Sequence, residues 1–266
     1  MEQAWLAAAR EAARAAGDVL MGHFGRALDV RKKGAIDLVT QADLQAEAAV
    51  LDRLRTAFPG HGFLLEESGA RAGSGEYTWV IDPLDGTTNF VHGYPPFGVS
   101  VGLVRGEEPL LGVVYAPALG EEFWAVRGGG AWLNDAPIRV SACASLREAM
   151  LATGFPYDAH TADDIVPLFA AFLRQAQAIR RDGSAALDLC YVAMGRFDGF
   201  WERRLRPWDT AAGAAILAEA GGRLSRFDGG PFSIHCPEIV ASNGRIHAQM
   251  LAVTGGAQSP ASFMKA

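Results

Sequence analysis

Apolar residues near the start of the chain recur at the spacing of two amphipathic helices. A first helix is predicted because these residues lie three or four positions apart, with charged residues between them. They are Trp5, Ala9, Ala13, Ala16 and Leu20. A second helix is predicted from Thr40, which with Asp43 resembles a capping box, to just before Pro59-Gly60. Its predicted apolar stripe consists of Leu44, Ala48, Leu51 and Leu54.

From about residue 63 the apolar positions form short runs instead. The runs are rich in Val, Tyr, Phe and Trp and are separated by Gly or Pro, which is typical of strands. They are Tyr77–Ile81, Phe97–Val104, Leu110–Ala116 and Glu121–Val126. Because no helical pattern separates the last three runs, we expect them to form an antiparallel meander.

The second half of the chain alternates between strand and helix patterns. Strands are predicted at Met150–Thr153, Ala178–Arg181, Gly199–Glu202, near Leu224 and at Ile239–Ala241. Helices are predicted at Ile165–Gln177, Ala185–Ala193 and Pro207–Ala220. The pattern therefore predicts an α+β fold of mixed sheets layered with helices. We expect one domain over residues 1–266, with approximate subdomains 1–140 and 141–266.

Composition narrows the class of protein. Of 266 residues, 50% are hydrophobic and 20% are charged, which is enough to build a large core. The net charge of −6 argues against a protein that mainly binds nucleic acid, since phosphate neutralisation needs a basic surplus. The three cysteines show no zinc or disulfide spacing, and neither a signal peptide nor a membrane span is visible. We expect a soluble cytoplasmic protein.

The segment with the most chemical information is Trp-Val-Ile-Asp-Pro-Leu-Asp-Gly-Thr-Thr-Asn-Phe, residues 79 to 90. An apolar strand leads into Asp82 and Asp85, and the proline between them is expected to end the strand and hold both carboxylates on a stiff turn. Gly86 and Thr87 then offer successive backbone N–H groups, a natural anion site. Such a combination is typical of a magnesium–phosphate site, although Asp-Pro and Asp-Gly are also good turn pairs.

Two further acids lie at the ends of predicted elements. Glu66 follows the apolar run Phe63-Leu64-Leu65, and Asp209 opens an alanine-rich helix after Pro207-Trp208. Each has an ordinary alternative: a solvated acidic loop for Glu66, and a carboxylate that stabilises the first helical turn for Asp209. From the residues alone, it stays open whether these acids meet the first two aspartates in space.

Taken together, the motifs resemble those of the inositol monophosphatase family, which are magnesium-dependent, lithium-sensitive phosphatases. The two family signatures are matched by Trp79–Phe90, and by Trp208–Gly213 followed by Glu219–Gly222. Further matches are Asp37–Thr40 with Asp43, Glu66–Ser68 and Gly183–Ala186. The matches keep the family's order from about residue 5 to about residue 250. One departure is Leu65, where the family usually has glycine.

The resemblance implies a site for two to three Mg²⁺ ions. The first ion would be held by Glu66, Asp82 and the backbone carbonyl of Leu84. The second would be held by Asp82, Asp85 and Asp209, with Asp82 bridging, and a third, weaker ion would lie near Glu66. Such a scheme is physically coherent, because one metal can activate water while the other stabilises the leaving alkoxide.

The resemblance also implies the roles of the remaining site residues. Gly86 and Thr87 would bind phosphate through their N–H groups, and Thr87 with Asp43 would help to deprotonate the attacking water. Glu66 is counted with them as catalytic. The alcohol side of the substrate would be lined by Asp85, Gly183, Ser184, Ala185 and Glu202.

By resemblance we expect a layered α-β-α-β-α sandwich, inositol 1-phosphate or a similar phosphorylated polyol as substrate, and a homodimer. The same chemistry on histidinol phosphate, fructose 1,6-bisphosphate or 3′-phosphoadenosine 5′-phosphate stays open. A different class is a non-catalytic member that binds RNA or protein through Arg180-Arg181 and Arg203-Arg204 with Arg206. For these arginines, an exposed ion-pair face is the commoner explanation.

Overall fold

The computed structural model describes residues 2–26, 30–32, 38–155 and 164–257. Asp37, part of one matched motif, lies outside these ranges. The helices within them are α1 (Glu2–His23), α2 (Gln41–Ala57), α3 (Thr87–Val91), α4 (Ile165–Leu173), α5 (Ala185–Ala193), α6 (Pro207–Glu219) and α7 (His247–Ala257).

The described strands form two large sheets and one small one. The small sheet pairs β1 (Val30–Lys32) with β2 (Leu38–Thr40). The first large sheet contains β3 (Gly62–Leu65), β4 (Gly69–Arg71), β5 (Tyr77–Asp85), β6 (Gly98–Arg105), β7 (Glu108–Ala116), β8 (Glu121–Val126), β9 (Ala131–Leu133) and β10 (Ala136–Ile138), in the order β10-β9-β8-β7-β6-β5-β3-β4. The second contains β11 (Met150–Thr153), β12 (Ala178–Arg180), β13 (Gly199–Arg203), β14 (Arg223–Ser225) and β15 (Glu238–Ser242), in the order β12-β11-β13-β15-β14.

These elements stack in five layers. Helices α1 and α2 cover the outer face of the first large sheet, and α5 and α6 lie between the two large sheets. Alternate residues of each strand point to opposite faces, so the second sheet has two apolar faces. One face packs against α5 and α6, and helices α4 and α7 cover the other. The predicted layered α+β sandwich is therefore confirmed. The division of the chain near residue 140 stays a prediction.

The predicted antiparallel meander is confirmed, since β6, β7 and β8 pair in sequence. The expectation that Pro83 ends its strand is wrong. Strand β5 continues to Asp85, and its pairing with β6 passes from Asp82–Ser100 to Asp85–Gly98. The extra residue on β5 forms a bulge, which accommodates a proline that donates no ladder hydrogen bond.

The predicted apolar stripe of α2 is partly wrong. Leu44 is 53% exposed and Ala48 is exposed, whereas the buried apolar residues of the helix are Ala42, Ala46, Val50, Leu51 and Leu54. The buried face is the one that packs against α1 and β5, and Asp43, which contacts the N-cap Thr40, lies on it. In the second half, α4 ends at Leu173 rather than at Gln177.

Small residues allow α6 to lie against the first large sheet. A Cβ atom on Gly112 of β7 would overlap the backbone carbonyl of Ala212 in α6, so only glycine permits this approach. On its other side, Gly213 of α6 lies against the Leu189 side chain of α5. The three cysteines are unpaired, and among the described helices none has the length and apolar character needed to cross a membrane.

Candidate active site

The bulge at the end of β5 presents two buried carboxylates. Asp82 is 3% exposed and Asp85 is 9% exposed. The N–H of Leu84 donates to Oδ1 of Asp82 at 2.9 Å, which fixes the turn of chain between the two aspartates. Next, Gly86 adopts a φ of +94° at the N-cap of α3, in the left-handed region that favours glycine.

A hydrogen-bonded chain connects α2 to this bulge. Both the N–H and the hydroxyl of Thr40 donate to Oδ2 of Asp43, at 2.9 and 2.6 Å. The hydroxyl of Thr87 lies 3.1 Å from the Leu84 carbonyl and 3.4 Å from Oδ1 of Asp43. Burial raises the pKa of Asp43, although the bonds from Thr40 act to lower it. Thr87 and Asp43, which the motifs single out together, are therefore in contact.

Glu66 directly follows the last residue of β3, as predicted. That last residue is Leu65, whose side chain is buried in the core. The N–H of Glu66 donates to the Ile81 carbonyl at 3.2 Å, so the segment runs beside β5. Sequence reasoning missed Glu47 of α2, which is 4% exposed and accepts from the N–H of Glu67 at 2.9 Å. Glu47 follows Asp43 by one helical turn, a signal that the misplaced stripe of α2 concealed.

The N-terminus of α5 holds Asp85 in place. Oδ2 of Asp85 accepts from the Ser184 hydroxyl at 2.6 Å and from the Ala186 N–H at 2.7 Å. Burial raises the pKa of Asp85 to about 6, even though these two hydrogen bonds act to lower it. The loop before α5 is tied to α3 by Asn89, whose amide donates to the carbonyls of Pro96 and Asp182 at 2.6 Å each. Sequence reasoning gave Asn89 no role, although it lies within the first signature.

Asp209 lies in the first turn of α6, where its Oδ2 accepts from the Arg206 N–H at 2.6 Å. The alternative of helix stabilisation is therefore partly correct, because the carboxylate does satisfy a backbone group at the helix start. Burial raises the pKa of Asp209 well above its usual range, and the charges of Asp85 and Glu66 add to this while the Arg206 N–H opposes it.

The same electrostatic pattern holds for Asp82. Burial, and then the nearby carboxylates of Glu66 and Asp85, raise the pKa of Asp82 well above its usual range. Elements distant in sequence thus bring several carboxyl groups close enough to repel one another. Such groups favour protonation or the approach of a cation.

A cleft opens beside these acids, between the first signature and the ends of the second sheet. Its lining consists of Asp85, Gly86, Thr88, Gly154, Phe155, Arg181, Gly183, Ala185, Glu202, Arg203, Arg204, Leu205 and Asp209. Six of the predicted site residues are therefore brought together there. Of the others, Ser184 contacts Asp85, whereas Asp43, Glu66, Asp82, Leu84 and Thr87 are not part of the lining.

Elsewhere in the cleft lining, burial and the charge of Asp209 raise the pKa of Glu202 well above its usual range. Asp188 of α5 lies behind it, 1% exposed, and neither of its carboxylate oxygens has a hydrogen-bond partner among the described residues. Burial, and then the charge of Glu202, raise the pKa of Asp188 as well. Sequence reasoning missed this acid because the apolar residues around it predict only a core helix.

Three of the five arginines considered as a binding surface, Arg181, Arg203 and Arg204, line the cleft. Arg203 forms ion pairs with Asp164 and, at 3.8 Å, with Glu238, and Arg204 lies 3.4 Å from Asp164. These pairs agree with the ion-pair explanation. Arg181 lies over the Phe155 ring at 5.6 Å and donates to the Phe155 carbonyl at 3.2 Å.

The chemistry of the acids fits a divalent cation. Magnesium prefers oxygen ligands, keeps several waters, and is commonly held by only one or two carboxylates. Within the described residues, no set of three or more Asp, Glu, His or Cys side chains is arranged to hold a metal ion directly. Burial raises the pKa values of Asp82 and Asp209, and neighbouring carboxylates add to the effect, so a cation beside them would be favoured.

Comparison with known proteins gives a consistent result. A protein named inositol-1-monophosphatase from Synechocystis sp. is 47% identical over 251 residues, 93% of this chain and 88% of that protein. The Nus factor SuhB of Pseudomonas aeruginosa is 44% identical over 257 residues, 94% and 95% of the two chains. The solved structure of inositol monophosphatase from Anabaena (Nostoc) sp. PCC 7120 is 43% identical, covers 96% of each chain and superposes with a TM-score of 0.88.

The family model described as "Inositol monophosphatase family" matches residues 1–258. That match spans both signatures, all the acids described above and the five layers of the fold. The chain belongs to the inositol monophosphatase family.

Proposed function

We propose that this protein is a magnesium-dependent phosphomonoesterase and that its substrate is inositol 1-phosphate. Membership of a phosphatase family supports the reaction type. The observation that carries the proposal is the convergence of Asp85 and Asp209 on one cleft that also contains Gly86 and Glu202. A phosphate group and a polyol ring could therefore lie side by side in the same space.

Five groups would hold the two to three magnesium ions: the carboxylates of Glu66, Asp82, Asp85 and Asp209, and the Leu84 carbonyl. When bound, magnesium neutralises phosphate charge and lowers the pKa of water. Ser184 and Ala186 keep the Asp85 carboxylate in a fixed orientation toward the cleft. The Leu84 N–H restrains the Asp82 carboxylate by donating a hydrogen bond to it.

Thr87 and Asp43 would receive the proton of the attacking water. The Thr87 hydroxyl has two acceptors within reach, the Leu84 carbonyl and Asp43. Burial raises the pKa of Asp43, which makes this carboxylate a better proton acceptor than an exposed aspartate. Glu66 would complete this catalytic set.

The two sides of the substrate would meet different groups. The N–H groups of Gly86 and Thr87 would bind the phosphate oxygens, since they lie at the start of α3 beside Asp85. Glu202, Gly183 and Ala185 would line the alcohol. Ser184 would act on this side indirectly, because its hydroxyl is already bonded to Asp85.

A substrate panel tests the proposal. Phosphate release is measured with Mg²⁺ from D- and L-inositol 1-phosphate, fructose 1,6-bisphosphate, histidinol phosphate and 3′-phosphoadenosine 5′-phosphate. We expect kcat/KM to be at least about tenfold higher for an inositol 1-phosphate, and EDTA to remove the activity. A preference for another phosphate would reject the substrate while leaving the reaction class intact.

A second candidate is a non-catalytic role in binding protein or RNA. It is favoured by one observation, the 44% identity to a relative named Nus factor. The arginines that border the cleft would then contribute to a binding surface. If the panel gives no phosphate release with Mg²⁺, this second candidate replaces the first.

We also propose that the protein is a homodimer, which rests on the family resemblance. Sedimentation velocity measures this directly. We expect a single species of twice the 28.3 kDa chain mass, and a monomer at micromolar concentration would reject the assembly.

A further inference from the structure

We propose that Gly154 is a specificity-determining position: the space left by its missing side chain places the Glu202 carboxylate for contact with the hydroxyl groups of a polyol phosphate. The inference rests on the proposed function and names a residue that acts through Glu202. Gly154 would therefore be a positioning residue rather than a catalytic one.

The first step of the argument is the backbone around the two residues. Strands β11 and β13 are parallel neighbours, and Thr153 pairs with Trp201 at the end of the ladder. The Thr153 hydroxyl donates to the Trp201 carbonyl at 2.8 Å, which fixes one strand end against the other. Gly154 directly follows β11 and Glu202 is the next residue of β13, so the two lie side by side. On its other edge, Glu202 pairs with Ile239 of β15.

The second step is the position of the Glu202 side chain. A Cβ atom built on Gly154 would overlap both carboxylate oxygens and the Cδ atom of Glu202. The carboxylate therefore lies directly across the Gly154 Cα. The backbone of Gly154 is not in the left-handed region, so its conformation would accept alanine. What requires glycine here is space for a neighbouring side chain.

The third step is the availability of the carboxylate. Within the part of the chain that the structure describes, Glu202 makes no side-chain hydrogen bond or ion pair, yet it lines the cleft together with Gly154 and Ala185. Its oxygens can therefore accept hydrogen bonds from the hydroxyls of a bound ligand. An acceptor at this place discriminates between ligands that present a hydroxyl there and ligands that do not.

Two features make the pair suitable for a test. The atoms that an alanine would displace are the far end of a flexible side chain, so the fold should tolerate the change. A matched control exists in Gly22 of α1, where an added Cβ meets no atom within 4 Å. Gly22→Ala controls for the loss of a glycine as such.

The experiment is a double-mutant cycle with the wild type, Gly154→Ala, Glu202→Ala and the double variant. Initial rates with Mg²⁺ are measured for inositol 1-phosphate and for p-nitrophenyl phosphate, whose leaving group has no neighbouring hydroxyl. We expect Gly154→Ala to lower the ratio of the two kcat/KM values about tenfold, mainly through KM for inositol 1-phosphate. We expect no further fall when the change is made in Glu202→Ala, and no change in Gly22→Ala.

Two results would overturn the inference. One is an unchanged ratio in Gly154→Ala, and the other is an equal loss with and without Glu202, which would show that Gly154 acts only on packing. Crystal structures of the wild type and Gly154→Ala give a second readout that does not depend on turnover. We expect the carboxylate to lie over Gly154 in the first and to be displaced in the second; a carboxylate at the same position in both would reject the inference.

The same measurements separate this inference from the proposed function. A wild type that hydrolyses p-nitrophenyl phosphate but not inositol 1-phosphate rejects the proposed substrate, and the panel phosphate with the highest kcat/KM then takes its place in the cycle. A wild type without any turnover rejects the proposed function itself. In that case the two crystal structures decide the inference.

Discussion

Two buried acidic regions of this protein differ in what neutralises them. Glu122 on β8 is 3% exposed, and its carboxylate accepts hydrogen bonds at 2.6 to 3.0 Å from the guanidinium groups of Arg10 and Arg14 on α1. By contrast, no lysine, arginine or histidine within the described ranges forms an ion pair with Asp82, Asp85 or Asp209. The carboxylate of the first region is paired with cations, whereas in the second region the arginines that line the cleft, Arg181, Arg203 and Arg204, form no ion pair with these three aspartates among the described residues.

The difference separates an acid that is compensated within the fold from the acids that we propose as metal ligands. A buried carboxylate costs stability unless a cation or hydrogen bonds compensate it. At Glu122 the compensation is built into the chain, so the group joins α1 to the sheet. Among the described residues, no ion pair compensates Asp82, Asp85 or Asp209, so their negative potential would favour a bound cation. Each of the following experiments tests this contrast.

The largest effect is expected for loss of an acid at the site. Asp209→Asn should lower kcat for the preferred phosphate about a thousandfold, because a metal–phosphate contact contributes several kcal/mol to the transition state. The fold should survive, as judged by circular dichroism. Asp228→Asn, at an aspartate on the surface that pairs with Arg226, is the control and should keep full activity. Near-normal turnover of Asp209→Asn would contradict the assignment of Asp209 as a metal ligand.

For Glu122, the acid that is paired with arginines, we expect a loss of stability. Glu122→Gln should lower the free energy of unfolding by about 2–3 kcal/mol, because it leaves two arginines without their shared partner. Urea denaturation measures this. Glu108→Gln is the matched control: Glu108 pairs with Arg105 and Arg127 but is 44% exposed, so its loss should change stability by less than about 0.5 kcal/mol. Equal effects of the two variants would remove the contrast.

His247 offers a further comparison with Glu122 and the acids of the site, because burial keeps this group neutral. His247 is fully buried, and its ring nitrogens each lie 2.9 Å from a serine hydroxyl, Ser225 on one side and Ser242 on the other. Burial lowers the pKa of His247 to about 4. The unfolded chain therefore binds a proton near pH 6.5 that the folded protein does not bind until about pH 4.

Stability from this group is thus fully present above about pH 6.5 and is lost as the pH falls toward 4. Between pH 7.5 and pH 5 we expect His247 to account for a fall of about 2 kcal/mol in the free energy of unfolding. Urea titrations at several pH values, in the wild type and in His247→Gln, measure the difference in slope. Parallel pH profiles of the two proteins would contradict the expectation.

The smallest effect is a gain in stability. In metal-free protein, Asp82→Asn should raise the free energy of unfolding by about 1 kcal/mol, because an amide removes repulsion and can still accept from the Leu84 N–H. Mg²⁺ should raise the melting temperature of the wild type and should have little effect on the variant. A variant less stable than the metal-free wild type would show that Asp82 is compensated in some other way.

Much of the fold could be predicted from local pattern. The predicted strand Glu121–Val126 and helix Ala185–Ala193 have the observed bounds, since apolar periodicity, glycines and caps all act within a few residues. The bulge at Pro83 and the phase of α2 could not be predicted in this way. The first depends on pairing with β6, and the second on how α2 packs against α1 and β5.

In the candidate site, too, features with a local sequence signal could be predicted and features that depend on distant contacts could not. The signatures identified the acids and placed each at the end of an element, and the structure brings Asp85, Gly86 and Asp209 to one cleft. Their roles stay predictions. Glu47 and Gly154 were missed because each matters only through a neighbour distant in the chain, Glu67 in one case and Glu202 in the other.

The position of α6 between the two sheets limits which sequences this fold can use. Gly112 lies against one side of the helix and Leu189 against the other. At the C-terminal end of the helix, the Glu219 carboxylate accepts hydrogen bonds from the N–H groups of Gly128 and Gly130. In a library randomised over residues 211 to 213, almost all functional variants should therefore carry alanine, glycine or serine. The helix that carries Asp209 therefore tolerates few substitutions at the positions that pack against its neighbours.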